Sequence, residues 1–142
     1  MFSLTRSAIS VDQCRQSLQN SRCGGYVSFE GWVRQYNAGQ EVDHLYYEAH
    51  DVLAIKEGQL ICFEAKEKFA IENIFSIHRL GKLNIGEIAV WIGVCAVHRV
   101  AAFHACQYMI DQIKHRVPIW KKEYYTDNSH LWVNCQHCQN HL

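Results

Sequence analysis

What this sequence has little of narrows its class before any motif is considered. Its 142 residues include one proline, Pro118, and no low-complexity tract, internal repeat or linker-like stretch, so residues 1–142 read as one domain with a mobile tail at 134–142. No run reaches the roughly 18 apolar residues of a membrane span. Residues 1–10 lack the basic-then-apolar order of an export signal, which makes the cytoplasm the expected location. Cations and anions balance at 14 each, a formal net charge of zero. Nucleic acid or an anionic membrane would meet no overall attracting field, and any anion site has to be a local cluster.

What is present fits a soluble enzyme-sized domain. Apolar residues make up 49% and charged residues 20%, enough to bury a core without approaching disorder. The seven cysteines could suggest a disulfide framework, but the count is odd and Cys62, Cys95 and Cys106 fall in apolar elements. Reduced thiols that pack as small hydrophobes are the better reading.

The stretch that organises the chain is residues 98–123. Apolar residues at Ala102, Cys106, Met109, Ile110, Ile113 and Val117 recur every three or four positions and paint one buried helical stripe. Pro118 stops the helix, with Val117 expected as its last near-helical residue and an extended segment from Ile119. Arg99 falls in the first turn, where the helix dipole disfavours a cation by about 0.3–1 kcal/mol. Free N–H groups at the helix start, with His98 and Arg99, would hold a phosphate or carboxylate. Lys114 in the last turn and Lys121 just past the proline can face one pocket. The plainer alternative is that Lys114 only complements the dipole and Lys121 is a solvated strand residue.

In chain order, Ser10 can cap a short helix, with Gln13 three residues on. Residues 26–34 alternate as a strand, with Val27, Phe29 and Val33 on one face and Ser28, Glu30, Trp32 and Arg34 on the other. Arg34 ends it beside a polar loop at 35–41, a plausible place for a ligand contact. Residues 42–50 should be a second strand, antiparallel to the first because the connection is short. Asp51 is the expected N-cap of a helix over 52–69, with Leu53, Leu60, Ile61 and Ala65 inward and Gly58 costing about 1 kcal/mol. A strand at 73–79, a turn at 80–87, a buried strand at 88–97, a strand at 119–125, a turn at 126–129 and a short strand at 131–133 complete the reading. The fold class is α+β, a mainly antiparallel sheet with packed helices.

At this point the residues carry a family resemblance. Phe-x-Gly-x-Val-Arg at 29–34, Tyr-Glu-Ala-His at 47–50, Ile-His-Arg-Leu-Gly-Lys-Leu at 77–83, Ala-Val-His-Arg at 96–99 and Pro-Ile-Trp-Lys-Lys-Glu at 118–123 follow one another in this order. The chain thereby resembles the large, catalytic subunit of molybdopterin synthase over nearly its whole length. The resemblance implies an α/β hammerhead fold. It also implies insertion of two dithiolene sulfurs into cyclic pyranopterin monophosphate (precursor Z), with no cofactor. The sulfur donor would be the C-terminal thiocarboxylate of a small ubiquitin-like sulfur-carrier subunit, in a heterotetramer built on a homodimer of large subunits. Carried over by position, Lys114 and Lys121 match the catalytic lysines, and Arg34, His98 and Arg99 match the substrate-binding residues. Lys121 would do acid/base work and Lys114 would contact the thiocarboxylate, whose charge an ammonium in a dry pocket stabilises. Phe29, Met109 and Glu123 would be pocket wall, although ordinary packing also explains Phe29 and Met109. Exposed aromatics such as Tyr46, Trp91 and Trp132 would suit the dimer interface.

The sequence departs from the family at Trp32, where many relatives carry lysine, and at its end, where a charged tail is usual. Here Cys135, His137, Cys138 and His141 offer instead a weak zinc-knuckle pattern, one rival function. A binding module of the same fold that has lost turnover is a second. Cys106 as a sulfur-carrying nucleophile is a third, disfavoured because a thiol on the buried stripe should be inert.

Overall fold

The computed structural model describes residues 1–134. In chain order these form β1 (Phe2–Thr5), α1 (Val11–Gln16), β2 (Gly25–Trp32), β3 (Tyr36–Asn37), β4 (Gln40–Ala49) and α2 (Asp51–Lys68). Then come β5 (Asn73–Arg79), β6 (Gly81–Asn84), β7 (Ile88–Ala96), α3 (Arg99–Arg116), β8 (Ile119–Tyr125) and β9 (His130–Asn134). One sheet has the order β1-β5-β7-β2, and the other is built around β4, which pairs with β3, β6 and β8, with β9 beyond β8. Every pairing is antiparallel except β1 with β5. The α+β reading therefore holds. No described helix is long and apolar enough to cross a membrane.

β7 is the centre of the first sheet because its sequence suits burial on both faces, and residues 89–96 are all buried. Ala96, Val94 and Ile92 belong to the main core together with Ala102, Ala105, Cys106, Met109 and Ile113 of α3. On the opposite face, Trp91 packs with Cys14 and Leu18 beneath α1. Trp91 is completely buried, so it is a core residue and not the interface aromatic expected. Ser10 caps α1 as read, its hydroxyl accepting from Gln13 N.

Several boundaries move, each for a physical reason. β4 does not pair with β2. The chain leaves the first sheet at Val33, and a two-residue hairpin turn at Ala38 and Gly39, both with positive φ, pairs β4 with β3 instead. The 80–87 segment is not all turn, because Gly81 and Gly86 take positive φ at its two ends and residues between them pair with β4 as β6. His50, not Asp51, caps α2, its Nδ1 accepting from Leu53 N. Val117 is already extended at ψ 126°, as the clash with a following proline ring requires, and α3 ends at Arg116.

α2 buries Ile61 and Ala65 as expected but not Leu53 and Leu60. Ala54, Gly58, Ile61, Cys62 and Ala65 turn inward, while Leu53 and Leu60 stay 51% and 47% exposed. Small residues won because the helix lies close to β1. A Cβ on Gly58 would stand 2.2 Å from the Phe2 ring. Gly58→Ala is therefore expected to destabilise the protein by about 1–3 kcal/mol through overpacking, although helix propensity alone favours alanine by about 1 kcal/mol. Denaturant unfolding of G58A would decide the sign, and a gain in stability would refute the close-packing account. α2 is tied to α3 by Arg116, whose Nε donates to Glu57 at 2.8 Å and whose other nitrogens grip both oxygens of Glu64.

Candidate active site

β8 places the site by simple alternation. Lys121, Glu123 and Tyr125 point inward and are buried, while Trp120, Lys122 and Tyr124 lie on the other face. Polar groups at the inward positions of a strand need partners, and here they find one another. Lys121 Nζ lies 3.1 Å from Glu123 Oε1, with Lys121 8% and Glu123 1% exposed. The same Glu123 oxygen accepts from Asn37 Nδ2 at 2.6 Å, and Oε2 accepts from the Tyr125 hydroxyl at 2.7 Å. Burial, then the bond to Glu123 and its charge, push Tyr125 up to about 12, so the phenol stays a donor. Arg34 Nη2 reaches Asn37 Oδ1 at 3.5 Å. Arg34, at the exposed end of the first sheet, is thus linked through Asn37 and Glu123 to Lys121.

Lys114 approaches from the last turn of α3. It is half-buried, and its positive charge is felt at His78 of β5. His78 is fully buried, its Nδ1 2.8 Å from the Arg79 carbonyl, and its ring stands edge-on to Tyr47 at 4.9 Å. Burial first, and then the charge of Lys114, depress His78 to about 3, which keeps the imidazole neutral. Tyr47 is the register partner of Lys121 across β4 and β8. The two lysines therefore flank one Tyr47–His78 neighbourhood.

His98 and Arg99 lie elsewhere. Both are exposed at the start of α3, where His98 caps the helix without a side-chain hydrogen bond and the first turn holds no acid. Its N–H groups meet no side-chain acceptor from the cap, the condition for an anion site. Glycines bring the chain close beneath: a Cβ on Gly25 would stand 3.0 Å from Arg99 N, and one on Gly24 3.0 Å from the Val97 carbonyl oxygen. Fifteen residues of helix separate Arg99 from Lys114, about 22 Å at 1.5 Å per residue. Within one chain the structure joins Arg34 to the lysine pocket and leaves the His98–Arg99 end a helix length away.

Of the remaining expected residues, Phe29 is 39% exposed on the edge strand β2, and Met109 is completely buried in the core. The sequence reading missed Asn37, Tyr47, His78 and Tyr125, and treated Glu123 as a wall and not as the counter-ion of Lys121. The i, i+2 spacing of Lys121, Glu123 and Tyr125 on a strand was the available signal. Cys106 is buried and pushed up to about 11, too high for a nucleophile at neutral pH. The tail candidates Cys135, His137, Cys138 and His141 lie outside the described residues, and those residues contain no group of three or more His, Cys, Asp or Glu side chains placed to hold a metal.

Cavities of about 500, 370 and 190 Å³ open elsewhere on the surface, and none of these three is lined by Lys114 or Lys121.

Comparison with known proteins places this geometry in context. The sequence model described as MoaE protein matches residues 4–116. A relative from Pyrococcus abyssi, named molybdopterin synthase catalytic subunit, is 40% identical over 124 residues, covering 87% of this chain and 83% of its own. The crystal structure of molybdopterin synthase from Staphylococcus aureus superposes with a TM-score of 0.89 at 37% identity, covering 93% of this chain and 96% of the other. A complex of subunits 1 and 2 of molybdopterin-converting factor from Helicobacter pylori shares the fold at 19% identity and a TM-score of 0.77, covering 93% and 89%.

Proposed function

Because the chain belongs to the MoaE family of molybdopterin synthase catalytic subunits, we propose that its buried Lys121–Glu123 pair, with Lys114 beside it, is where sulfur reaches the pterin. The enzyme is a sulfurtransferase of molybdenum cofactor biosynthesis. Its substrate is precursor Z, and the sulfur arrives on the C-terminal thiocarboxylate of a small carrier subunit. A two-subunit assembly of this kind is named for the Helicobacter pylori protein of the same fold. The single observation that carries the reading is Lys121 itself. It is a cation held 8% exposed by a buried carboxylate, where an ammonium acts on a developing negative charge with little competition from water.

The roles divide by position. Lys121 is fixed by Glu123 and suits proton transfer to or from the reacting centre. Lys114 has more freedom at the end of α3 and suits the incoming thiocarboxylate. Arg34, tied through Asn37 to the same carboxylate, reads the substrate at the pocket rim. His98 and Arg99 take the phosphate, and the helix length between them and the lysines is bridged in a homodimer that sets one copy's helix start against the other's lysine pocket. Tyr46 and Trp132, 38% and 49% exposed on the outer face of the second sheet, are suited to such contacts. Buried thiols at Cys14, Cys62, Cys95 and Cys106 fit the reducing cytoplasm.

The test is molybdopterin formation from precursor Z by the purified chain mixed with a thiocarboxylated small subunit. Product is expected in the mixture and absent with either subunit alone. A stable complex that makes no product would identify a binding module of the same fold.

A further inference from the structure

Two cysteines outside this chemistry share one recess. A cavity of about 190 Å³ between α1 and the ends of β2 and β7 is lined by Arg15, Asn20, Cys23, Tyr26 and Cys95, among others. Cys95 lies near the end of β7, in register with Tyr26, and is 2% exposed. Cys23 sits three residues before Tyr26, is partly exposed, lines the same cavity as Cys95 and lies near enough to it to help push the Cys95 thiol up. Cys14, Cys62 and Cys106 are buried, and none of them is pushed in this way by another cysteine among the described residues.

The neighbours of this pair give it a consequence. Cys23 is followed by Gly24 and Gly25, the two residues packed against Val97, His98 and Arg99, and Cys95 precedes His98 by three. A covalent link between the thiols would tie the loop at 20–24 to the end of β7, next to the backbone from which His98 and Arg99 start.

We propose that Cys23 and Cys95 form a reversible thiol–disulfide pair, opened and closed by exchange with low-molecular-weight thiols and disulfides, that alters anion binding at the start of α3. Closure takes two exchanges. The Cys23 sulfur attacks a small disulfide RSSR, forming a mixed disulfide and releasing one RSH that carries the Cys23 proton. Cys95 sulfur then attacks the Cys23 sulfur, closing the protein disulfide and releasing a second RSH with the Cys95 proton. The chain loses two electrons and RSSR gains them. Cys23 takes the first step because it is the accessible member. Cys95 is pushed up to about 11, by burial and then by Cys23, and supplies the slower second step. The cross-link stands independently of the functional reading, whereas its effect on substrate rests on His98 and Arg99 as the phosphate site.

The experiment uses the full chain with Cys135 and Cys138 replaced by serine, so that the tail thiols cannot interfere. After incubation with oxidised glutathione, alkylation and peptide mass analysis are expected to show a Cys23–Cys95 linked peptide that dithiothreitol removes. Cys95→Ser should stop at a glutathione adduct on Cys23, and Cys23→Ser should form neither product. Oxidation should weaken binding of inorganic phosphate or precursor Z about tenfold, a size ordinary for coupling between neighbouring sites, and C23S should escape the change. Absence of the linked peptide overturns the pair. A linked peptide with unchanged anion binding overturns the coupling, and if neither form binds the anion, the phosphate assignment is what has failed.

Discussion

Lys121→Ala is expected to slow molybdopterin formation by about 10²- to 10⁴-fold, the usual contribution of a positioned proton-transfer group. The loss should fall on kcat, with the small subunit still bound. Lys114→Ala should instead raise the concentration of thiocarboxylated subunit needed for half-maximal rate, because Lys114 is placed to meet the incoming tail. The alanine variant at 121 has a second effect. It leaves Glu123, only 1% exposed, with bonds from Asn37 and Tyr125 but without its cation. Breaking a buried ion pair from one side costs about 3–5 kcal/mol, so a thermal melt has to accompany the assay. Lys121→Arg keeps the charge and should recover much of the stability while moving the donor, which separates folding from chemistry. Full activity in a folded K121A would remove Lys121 from the mechanism.

A comparably large effect is expected of acid acting on His78. In the folded protein this imidazole takes a proton only near pH 3, whereas in the unfolded chain it does so near its ordinary value of 6.5. Between those values the unfolded state binds more protons, so stability falls as pH falls. The slope should approach about 1.4 kcal/mol per pH unit below 6.5 and vanish above it. Burial is the main cause and the charge of Lys114 the second, opposed by the bond to the Arg79 carbonyl. Glu64, held below its ordinary 4.5 chiefly by Arg116, loses its contribution only under that value. Between pH 5 and 6.5 Glu64 contributes little to the slope, and the difference between the native chain and His78→Leu reports this histidine. Urea unfolding of the native chain and of His78→Leu across that window should give a steeper and a shallower dependence, differing by up to about 1.4 kcal/mol per pH unit, and equal slopes would show that His78 is not the source. Replacement also removes the ring beside Tyr47 and Lys114, so a fall in sulfur transfer by H78L at pH 7.5, where the protein remains folded, would show the imidazole positioning the pocket.

How much of this was legible beforehand follows from the kind of information each feature uses. Local periodicity gave α3, β5 and β7 close to their true limits, because a long stripe or an apolar run needs no knowledge of its neighbours. The second sheet was misassigned where tertiary pairing overrode proximity. A short link after β2 suggested a hairpin, and the hairpin formed with Tyr36 and Asn37. β1 could not be seen at all, since its four residues gain their meaning from β5, over seventy positions away. α2 was read correctly at Ile61 and Ala65 and misled at Leu53 and Leu60, because Gly58 lets the helix lie against Phe2 of β1. The lysines, Arg34, His98 and Arg99 stood out from their places at helix ends and a strand end, and the family resemblance gave them roles; Glu123 as counter-ion was legible only in its i, i+2 spacing from Lys121, and Asn37 as its link to Arg34 required coordinates. The Asn37–Glu123 bond joins residues 86 positions apart.

β8 carries two messages on alternate residues. Odd positions 121, 123 and 125 hold the buried charge network, and even positions 120, 122 and 124 form an outer surface in which Lys122 lies over the rings of Tyr124 and Trp132. Adding or removing one residue within this strand would exchange the two sets at a stroke, sending Lys121 outward and an aromatic ring into the pocket. Selection can therefore revise this segment letter by letter but not in length. A change of length is expected to be tolerated only at the turn at 126–129, where Asn128 already takes the positive φ of a reversal and the hydrogen-bond ladder is free to restart.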